Sequence, residues 1–388
     1  MRKILIFNDC FYMGGTEVLL LDVLNHLAEK DCEVTLLLPN PSERNQLLSE
    51  VSPRIKVQYI FHEQPTGFKR KFVRHLMLVF PRIFAKVMKI DVGKNDLIVC
   101  FKDTLYSVVF SRMNVPKIQW VHNQPFIHSY KYQSVTDWIR IQINRLHLRK
   151  MERSFNRFNE VICVSESCRD KYLEIYGKNL SKTDIRVLYN ALDLSGIAEK
   201  AVQPVSGIPL FSGTYFILVT RISPEKTVDR TVKMACRLID EGYNFRIMIL
   251  GEGGQSDYIR DLIIELGLTD IITMYGRVGN PYPYMKQADW LLCGSSRESF
   301  SLVLLEAISL GTPVLTTNCG GPEDVIAYGK YGLLLENSID GVYQGMKKVL
   351  DEPSLKDYYN SLATENLNRF DYQKWQTEVD KLLGVEDL

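Results

Sequence analysis

The hydrophobic residues of this chain occur mainly as short, uninterrupted runs separated by longer stretches with helical character. Runs that are apolar throughout, without alternation, are typical of strands buried on both faces of a parallel sheet. The first half contains six of them: KILIF (3–7), EVTLLL (33–38), DLIVCF (96–101), KIQWVH (117–122), EVICVS (160–165) and DIRVLYN (184–190). Helical stretches such as TEVLLLDVLNHLAEK (16–30) lie between several of them. This alternation predicts a doubly wound α/β domain.

The same pattern then starts again after a segment without periodicity. Five more runs follow: YFILVTR (215–221), FRIMILG (245–251), IITMYG (271–276), DWLLCG (289–294) and PVLTTN (313–318). We therefore predict two Rossmann-like domains, at 1–195 and 214–370, with residues 196–213, rich in Gly, Pro and Ser, as the linker. A last helical stretch within 371–388 is predicted to return to the first domain.

The predicted architecture indicates where functional side chains should occur. In open α/β sheets, ligands bind beyond the carboxyl ends of the strands. Two such domains facing each other would enclose a cleft between those ends. Residues that directly follow strands are therefore the candidates for binding and chemistry.

Charge is distributed unevenly along a chain whose net charge is only +1. Residues 1–200 contain 30 Lys and Arg against 21 Asp and Glu, a net +9, and the remainder is −8. A basic half is typical of proteins that meet phosphates, nucleic acid or an anionic membrane. The eight cysteines show no metal-ligand spacing, which favours reduced thiols in a cytoplasmic protein. No window approaches the roughly 20 apolar residues of a membrane span, and the first run is too short for a signal peptide.

Glycine-rich loops follow two of the predicted strands. Gly14 and Gly15 precede a helix whose free N–H groups could face an anion, although for a glycine pair alone a simple strand-to-helix turn is the favoured interpretation. The loop GEGGQ (251–255) also lacks the full G-x-G-x-x-G spacing of a dinucleotide site. An NAD-dependent dehydrogenase is therefore disfavoured.

Two cations lie at the end of the first strand in the second series. In TRISPEKTVDR, Arg221 ends the strand and Lys226 follows five residues later. A guanidinium can donate hydrogen bonds to two oxygens at once, and an ammonium adds a compact positive charge. The two groups together suit a diphosphate. The alternative is a solvated loop with ordinary surface cations.

Two acids occur in RESFSLVLLEA (297–307), where a polar loop leads into a helix predicted from about Phe300. Glu306 lies among apolar neighbours, where a carboxylate without partners is costly. A carboxylate can accept two hydrogen bonds from a ribose diol. We therefore expect Glu306 to hold a ribose, the N–H groups of Phe300, Ser301 and Leu302 a diphosphate, and Glu298 the hydroxyls of a sugar beyond it. The alternative for Glu298 is an acid favoured by the helix dipole.

These segments resemble glycosyltransferase family 4, whose members have the GT-B fold. SSRESFSLVLLEAISLGTPVLTT is similar to the E-x7-E segment of that family. YMGGTEVLLLDVL, VTRISPEKTVDR, GRVGNPYPYMKQADW and LYNALD match in the same order. The chain departs from the family pattern where Ser299, Ser301 and Thr227 replace glycines.

The resemblance implies a retaining transfer of sugar from a nucleotide-sugar, with a UDP-sugar as the first expectation. It implies no cofactor and no bound metal, and the sequence has no D-x-D pair to hold one. Arg221 and Lys226 would neutralise the leaving diphosphate, and His122, in WVHNQP, would lie near the transferred sugar, whereas His128 has no such support. The remaining donor-binding residues would be Gly14, Gly15, Val278, Glu298, Ser299, Phe300, Ser301, Leu302 and Glu306.

The acceptor side is expected in the basic first domain. The segment 67–90 carries Lys69, Arg70, Lys71, Arg74, Arg82, Lys86 and Lys89 among aromatic and aliphatic residues, and it contains no acid. A basic amphipathic helix binds an anionic membrane surface well, although a helix packed on the sheet with a solvated basic face is an alternative. We expect peripheral binding at the inner face of the cell membrane and a glycan or lipid-linked acceptor in bacterial surface polysaccharide synthesis. No nucleic-acid motif accompanies the charge.

Other functions remain open on the same fold. A nucleotide-sugar epimerase or a phosphorylase would use a similar donor site. A non-catalytic sensor of nucleotide-sugars would need the same binding residues without the chemistry.

Overall fold

The computed structural model describes residues 1–87, 94–123, 135–177, 183–205, 207–208 and 210–386. The chain divides into two compact units. The first contains Met1–Asn190 together with Gln373–Leu388, and the second contains Ala191–Tyr372. The segment 196–213, predicted as a linker, thus falls within the second unit, where it contains a short helix, Ile197–Lys200.

The first unit is built on a seven-stranded parallel sheet of order β3-β2-β1-β4-β5-β6-β7. Its strands are β1 (Arg2–Phe7), β2 (Cys32–Leu38), β3 (Lys56–Tyr59), β4 (Leu97–Cys100), β5 (Lys117–Val121), β6 (Glu160–Cys163) and β7 (Asp184–Val187). Its helices are α1 (Gly15–Ala28), α2 (Gly67–Val79), α3 (Pro81–Val87), α4 (Leu105–Phe110), α5 (Val135–Phe155) and α6 (Glu166–Tyr176). The central strands are buried almost completely, as their apolar runs require.

The second unit contains a six-stranded parallel sheet of order β10-β9-β8-β11-β12-β13. Its strands are β8 (Thr214–Val219), β9 (Phe245–Leu250), β10 (Ile272–Gly276), β11 (Trp290–Cys293), β12 (Val314–Thr317) and β13 (Leu333–Leu335). Its helices are α7 (Ile197–Lys200), α8 (Val228–Asp240), α9 (Ser256–Glu265), α10 (Tyr282–Gln287), α11 (Leu302–Ser309), α12 (Gly321–Val325), α13 (Ile339–Asp351), α14 (Ser354–Ser361) and α15 (Ala363–Leu367).

The predicted fold class, two Rossmann-like α/β domains, is confirmed, and each of the eleven predicted runs contains a strand. Two strands were missed, β3 and β13. Both lie at a sheet edge and are only partly buried. The sequence of β3, KVQY, has no continuous apolar run, and the run of β13, LLL, is only three residues long.

The strand order reverses at one point in each sheet, between β1 and β4 in the first and between β8 and β11 in the second. Loops that leave the two strands at such a point turn to opposite sides and open a crevice at their carboxyl ends. The loops after β1, β4, β8 and β11 are therefore the places to look for a ligand site.

The last helix, α16 (Tyr372–Leu383), belongs almost entirely to the first unit. Asp380 accepts a hydrogen bond from His26 at 2.8 Å and forms an ion pair with Lys30 at 2.7 Å, both at the end of α1. Trp375, Val379 and Leu383 are buried on the same helix. Among the helices that the structure describes, none combines the length and the apolar character needed to span a bilayer.

Candidate active site

The loop after β8 brings Lys226 to the point where the second sheet reverses its strand order. Pro224–Lys226 form a single 3₁₀ turn, and Thr227 then adopts a left-handed conformation (φ 44°) before α8 begins. The hydroxyl of Thr227 donates to the carbonyl of Gly294 at 2.6 Å, which fixes this loop to the end of β11. The position of Lys226 therefore depends on both strands at the reversal.

The loop after β11 holds Glu298 opposite Lys226. Its backbone N–H donates to the carbonyl of Cys319 at 3.1 Å, and its carbonyl accepts from the N–H of Gly321 at 3.0 Å. A Cβ on Gly321 would lie 1.9 Å from the carbonyl oxygen of Ser299, so only glycine permits this approach. These two backbone hydrogen bonds fix the main chain of Glu298 against the loop after β12.

Lys226 and Glu298 form a direct ion pair in which the ammonium donates to Oε1. The side chains are only 18% and 14% exposed. Burial acts against the charge of Lys226, but Glu298 outweighs it and raises the pKa of the lysine. Ser295 also donates to Glu298 Oε1 at 3.0 Å. The two predicted residues are thus in direct contact at the switch point of the sheet.

Arg221 lies near this pair but has its own partner. Its guanidinium donates to Glu225 at 2.9 Å, and 56% of its side chain is exposed. Burial opposes ionisation of Glu225, but hydrogen bonds from Ser223, from the backbone and from Arg221 lower its pKa to about 2. The positive charge of Arg221 also acts on Lys226. The two predicted cations are therefore close enough for the charge of Arg221 to affect Lys226.

Glu306 lies on α11, which begins at Leu302 and not at about Phe300 as predicted. The reason is that Ser301 adopts a left-handed conformation (φ 75°), which excludes it from the helix, while Phe300 is buried against Phe370. Leu302 is therefore the first helical residue, and of the three predicted amide donors only its N–H lies within the helix. Ser299 and Ser301 are half-buried in the preceding loop.

Within the described part of the chain, the carboxylate of Glu306 accepts a side-chain hydrogen bond from the hydroxyl of Tyr282 on α10, at 3.4 Å. Burial raises the pKa of Glu306 to about 7, and the hydrogen bond from Tyr282 acts in the opposite direction. Tyr282 was not among the residues predicted from the sequence, although it lies in the segment GRVGNPYPYMKQADW that resembles the family. Val278, predicted to bind donor, lies half-buried in the loop between β10 and α10.

Two departures from the family pattern coincide with backbone strain. Thr227 and Ser301 replace glycines, and both have positive φ angles, which are unfavourable for residues with a Cβ. Thr227 is β-branched, so its left-handed conformation is a genuine outlier, and its hydrogen bond to Gly294 helps to maintain it. Thr227 and Ser301 thus adopt the left-handed backbone conformation that glycine favours. The ion pair of Lys226 and Glu298 forms although this chain lacks the glycines of the family pattern at these two positions.

The first unit has a similar charge pair at its own switch point. Gly14 and Gly15 lie where predicted, at the cap and first residue of α1, and Gly14 packs so closely that a Cβ would meet Tyr12 and Glu17. Glu17 accepts from Lys102 Nζ at 2.6 Å. The pair is buried, and it joins the first turn of α1 to the loop after β4.

One group of potential metal ligands occurs in the described part of the chain. Oxygen or sulfur atoms of Asp9, Cys10 and Glu17 lie within 4.8 Å of one another. Lys102 Nζ lies 2.6 Å from Glu17 and 3.6 Å from Asp9, and it supplies a positive charge where a metal would. Burial and the charge of Asp9 raise the pKa of Cys10, so the thiol is a poor ligand.

His122 follows β5 and is buried in an aromatic stack. Its ring lies 4.5 Å from Phe101 and 5.6 Å from Trp120. Burial, followed by the charge of Lys102, lowers the pKa of His122 to about 3, so the imidazole is neutral. Its Nε2 atom has no hydrogen-bond partner within the described structure. A buried imidazole nitrogen of this kind is suited to a ligand hydroxyl.

The basic segment forms two helices, α2 and α3, separated at Pro81. Lys69, Arg70, Lys71 and Arg74 are all exposed on α2. Large apolar side chains beside them are also exposed, including Phe68 at 83% and Phe72 at 56%. Lys89 and His128 lie outside the described residues.

Two family models match this chain over separate regions. The model described as Glycosyltransferase Family 4 matches residues 13–195. The model described as Glycosyl transferases group 1 matches residues 212–366. The second match contains both acids of the E-x7-E segment and both cations after β8.

Relatives and solved structures resemble the chain over its full length. An N-acetylgalactosamine-N,N'-diacetylbacillosaminyl-diphospho-undecaprenol 4-alpha-N-acetylgalactosaminyltransferase of Campylobacter jejuni is 24% identical over 385 residues, 99% of this chain and 100% of the relative. Sucrose-phosphate synthase from Thermosynechococcus elongatus superposes with a TM-score of 0.74 at 17% identity, covering 98% of each chain. Anabaena Alr3699/HepE in complex with UDP-glucose gives a TM-score of 0.70 at 19% identity, covering 99% of this chain and 100% of that one.

The similarity to the solved structures agrees with the two parallel α/β sheets. The two family matches, one in each half of the chain, identify the protein as a glycosyltransferase with the GT-B fold.

Proposed function

We propose that this protein is a retaining glycosyltransferase that moves a sugar from a UDP-sugar to a glycan or lipid-linked acceptor in the synthesis of a bacterial surface polysaccharide. The observation that carries the proposal is the ion pair of Lys226 and Glu298 at the switch point of the second sheet. Support for the donor and acceptor comes from relatives: one solved structure contains UDP-glucose, and the name of the Campylobacter enzyme includes diphospho-undecaprenol.

Each site residue has a role in this proposal. Glu306 accepts hydrogen bonds from the ribose diol, and Glu298 accepts them from the transferred sugar. The loop amides of 299–301, the first amide of α11 at Leu302 and the amides at Gly14 and Gly15 contribute to diphosphate binding, and Val278 contacts the nucleotide. The neutral His122 forms a hydrogen bond with the transferred sugar.

The reaction breaks the bond between C1 of the sugar and the diphosphate oxygen, and it forms a bond from C1 to the acceptor oxygen on the same face. The acceptor proton passes to the departing phosphate oxygen, so no side-chain base is required. Arg221 and Lys226 stabilise the negative charge that develops on the diphosphate. In this proposal the two cations perform the task of a metal ion.

Donor binding is tested by thermal shift with UDP-, GDP- and ADP-sugars, with and without a chelator. A ligand present at about 100 times its Kd adds about 2.7 kcal/mol to the free energy of unfolding. We expect UDP-sugars to stabilise the protein equally with and without chelator, and Glu306→Gln to remove most of the shift. Glu265→Gln, a change of the same type on the exposed face of α9, should behave like the parent.

The products then separate the possible reactions. Incubation of the stabilising UDP-sugar without acceptor should give slow release of UDP and free sugar. Formation of an isomeric UDP-sugar would instead indicate an epimerase, and phosphate-dependent cleavage of a glycan would indicate a phosphorylase. Binding without any turnover, with lipid-linked acceptors also supplied, would indicate a sensor and contradict the proposal.

We also propose that α2 and α3 bind the inner face of the cell membrane. Six described cations of these helices are exposed, and Phe68, Phe72, Phe80 and Ile83 are at least half exposed among them. Basic residues near an anionic surface contribute about 1 kcal/mol each. Apolar side chains exposed beside the cations can enter the acyl boundary.

Vesicle sedimentation tests this membrane proposal. Replacement of Lys69, Arg70, Lys71 and Arg74 by glutamine should weaken binding to vesicles with 30% phosphatidylglycerol about tenfold or more. A control with the same loss of charge in exposed residues of the second unit and α16, Arg260, Lys330, Lys348 and Lys374, should bind like the parent. Equal loss in both variants would show that only net charge matters.

A further inference from the structure

Glu306 forms a hydrogen bond with a residue to which the proposed reaction assigns no role. Tyr282, the first residue of α10, donates its hydroxyl to Oε1 of Glu306 at 3.4 Å. Both side chains are half-buried. Because a carboxylate has about four acceptor positions, this contact leaves capacity for a diol on the same group.

The backbone of Tyr282 is fixed on both sides. Its N–H donates to Asn280 Oδ1 at 3.2 Å, and Asn280 Nδ2 in turn donates to Lys200 O and Gln203 Oε1, both at 2.8 Å. Towards the other end of α10, Thr312 donates to the carbonyl of Met285 at 2.7 Å. The short helix is thus anchored to α7 and to the loop after α11, which restricts where the tyrosine ring can lie.

Burial opposes ionisation of Glu306, and even with the hydrogen bond from Tyr282 acting in the opposite direction the pKa of the carboxyl is raised to about 7. A protonated carboxyl is a poorer acceptor for a diol than a carboxylate. Burial and the charge of Glu306 raise the pKa of Tyr282, so the tyrosine remains a neutral donor. Its hydrogen bond favours the ionised form of Glu306 and thus opposes burial.

Other charged groups lie on the elements packed against α11. They are Lys286 on α10, Glu199 and Lys200 on α7, Glu323 and Asp324 on α12, and Glu365 on α15. Lys286, Glu199, Lys200 and Glu365 are exposed. Among the described residues, Tyr282 is the side chain that acts on the pKa of Glu306 beside burial.

We propose that Tyr282 is a positioning residue that orients the carboxylate of Glu306 and keeps it available to accept the two hydroxyls of a ribose. This inference rests on the proposed donor site, and it adds a residue that acts through Glu306 and not on the sugar. It predicts a pH dependence of donor binding that a purely structural tyrosine would not produce.

The test compares donor affinity from pH 6 to pH 9 by titration calorimetry. The probe is whichever of UDP-glucose, UDP-galactose, UDP-GlcNAc and UDP-GalNAc gives the largest thermal shift, since the diphosphate of these donors has no group that titrates in this range. Because ribose hydroxyls donate to the carboxylate, affinity of the parent should rise as pH passes through about 7. Glu306→Gln should bind weakly and without this rise.

Tyr282→Phe should move the midpoint of that rise upward by about one pH unit, the equivalent of one lost hydrogen bond. Its affinity should then be about fivefold below the parent at pH 7 and within a few tens of per cent of it at pH 9. The matched control is Tyr275→Phe on β10, whose hydroxyl donates to the carbonyl of Gly207 at 2.8 Å. The control should follow the parent profile.

The alternative outcomes are distinct. A uniform loss of affinity at every pH, or a profile identical to that of the parent, would overturn the role of Tyr282 and leave the proposed donor site intact. Failure of every UDP-sugar to bind the parent would overturn both.

Discussion

Replacement of Lys226 by methionine is expected to lower the rate of sugar transfer about a hundredfold or more. Methionine keeps most of the length of the side chain and removes its charge. A preorganised charge aimed at a developing anion typically contributes a factor of about 10²–10³ to the rate, because it needs no reorganisation during the reaction. The rate is measured as release of UDP, and UDP binding by calorimetry should also weaken.

A second lysine provides the control for this experiment. Lys233 on α8 forms an ion pair with Asp229 at 2.8 Å, and Lys233→Met removes a paired lysine from the same unit. It should leave transfer and UDP binding unchanged. If Lys226→Met retained the parental rate while folding normally, the proposed stabilisation of the diphosphate by this residue would be wrong.

The fold was predictable from the sequence where a strand is fully buried, because burial requires a continuous run of apolar residues. Central strands such as β4 and β11 are buried on both faces, so their residues are apolar at every position. The edge strand β3 pairs only with β2 and exposes most of its side chains, so its sequence, KVQY, contains no such run. Such edge strands are defined mainly by hydrogen bonds between backbone groups, and backbone pairing leaves no pattern of side chains in the sequence.

Positions of residues in the site were predictable from the sequence only for residues that directly follow a strand of the sheet. Arg221, Lys226 and Glu298 follow strands, and the sheet topology brings the loops after β8 and β11 together. The direct contact of Lys226 with Glu298 and of Tyr282 with Glu306 depends on loop conformations, which spacing does not reveal. The start of α11 was misplaced because the left-handed Ser301 could not be recognised from a serine in the sequence.

In the proposed donor site, both cations are already paired with carboxylates of the site itself. Arg221 pairs with Glu225, and Lys226 pairs with Glu298. A diphosphate that binds here must therefore compete with carboxylates for both cations. If the diphosphate replaces Glu298 as the partner of Lys226, the released carboxylate of Glu298 can accept hydrogen bonds from sugar hydroxyls. Diphosphate binding and sugar recognition would then be coupled through one ion pair.

Glu298→Gln should therefore change binding and catalysis in opposite directions. Glutamine has the same shape and can still accept from Ser295, but it no longer attracts Lys226. UDP should bind about fivefold more tightly, which corresponds to about 1 kcal/mol for a competing ion pair. Sugar transfer should fall about a hundredfold, because a donor sugar held without its carboxylate is misplaced relative to the acceptor.

The comparison of UDP with the UDP-sugar makes this prediction specific. In the parent the carboxylate of Glu298 contributes only to the complex with the sugar, so Glu298→Gln should gain affinity for UDP and lose affinity for the UDP-sugar. Glu365→Gln removes another lysine-paired acid, the partner of Lys330 at 2.7 Å, and should alter neither ligand. Equal weakening of UDP and UDP-sugar by Glu298→Gln would mean that Glu298 serves only to hold Lys226 in place, and the coupling would not exist.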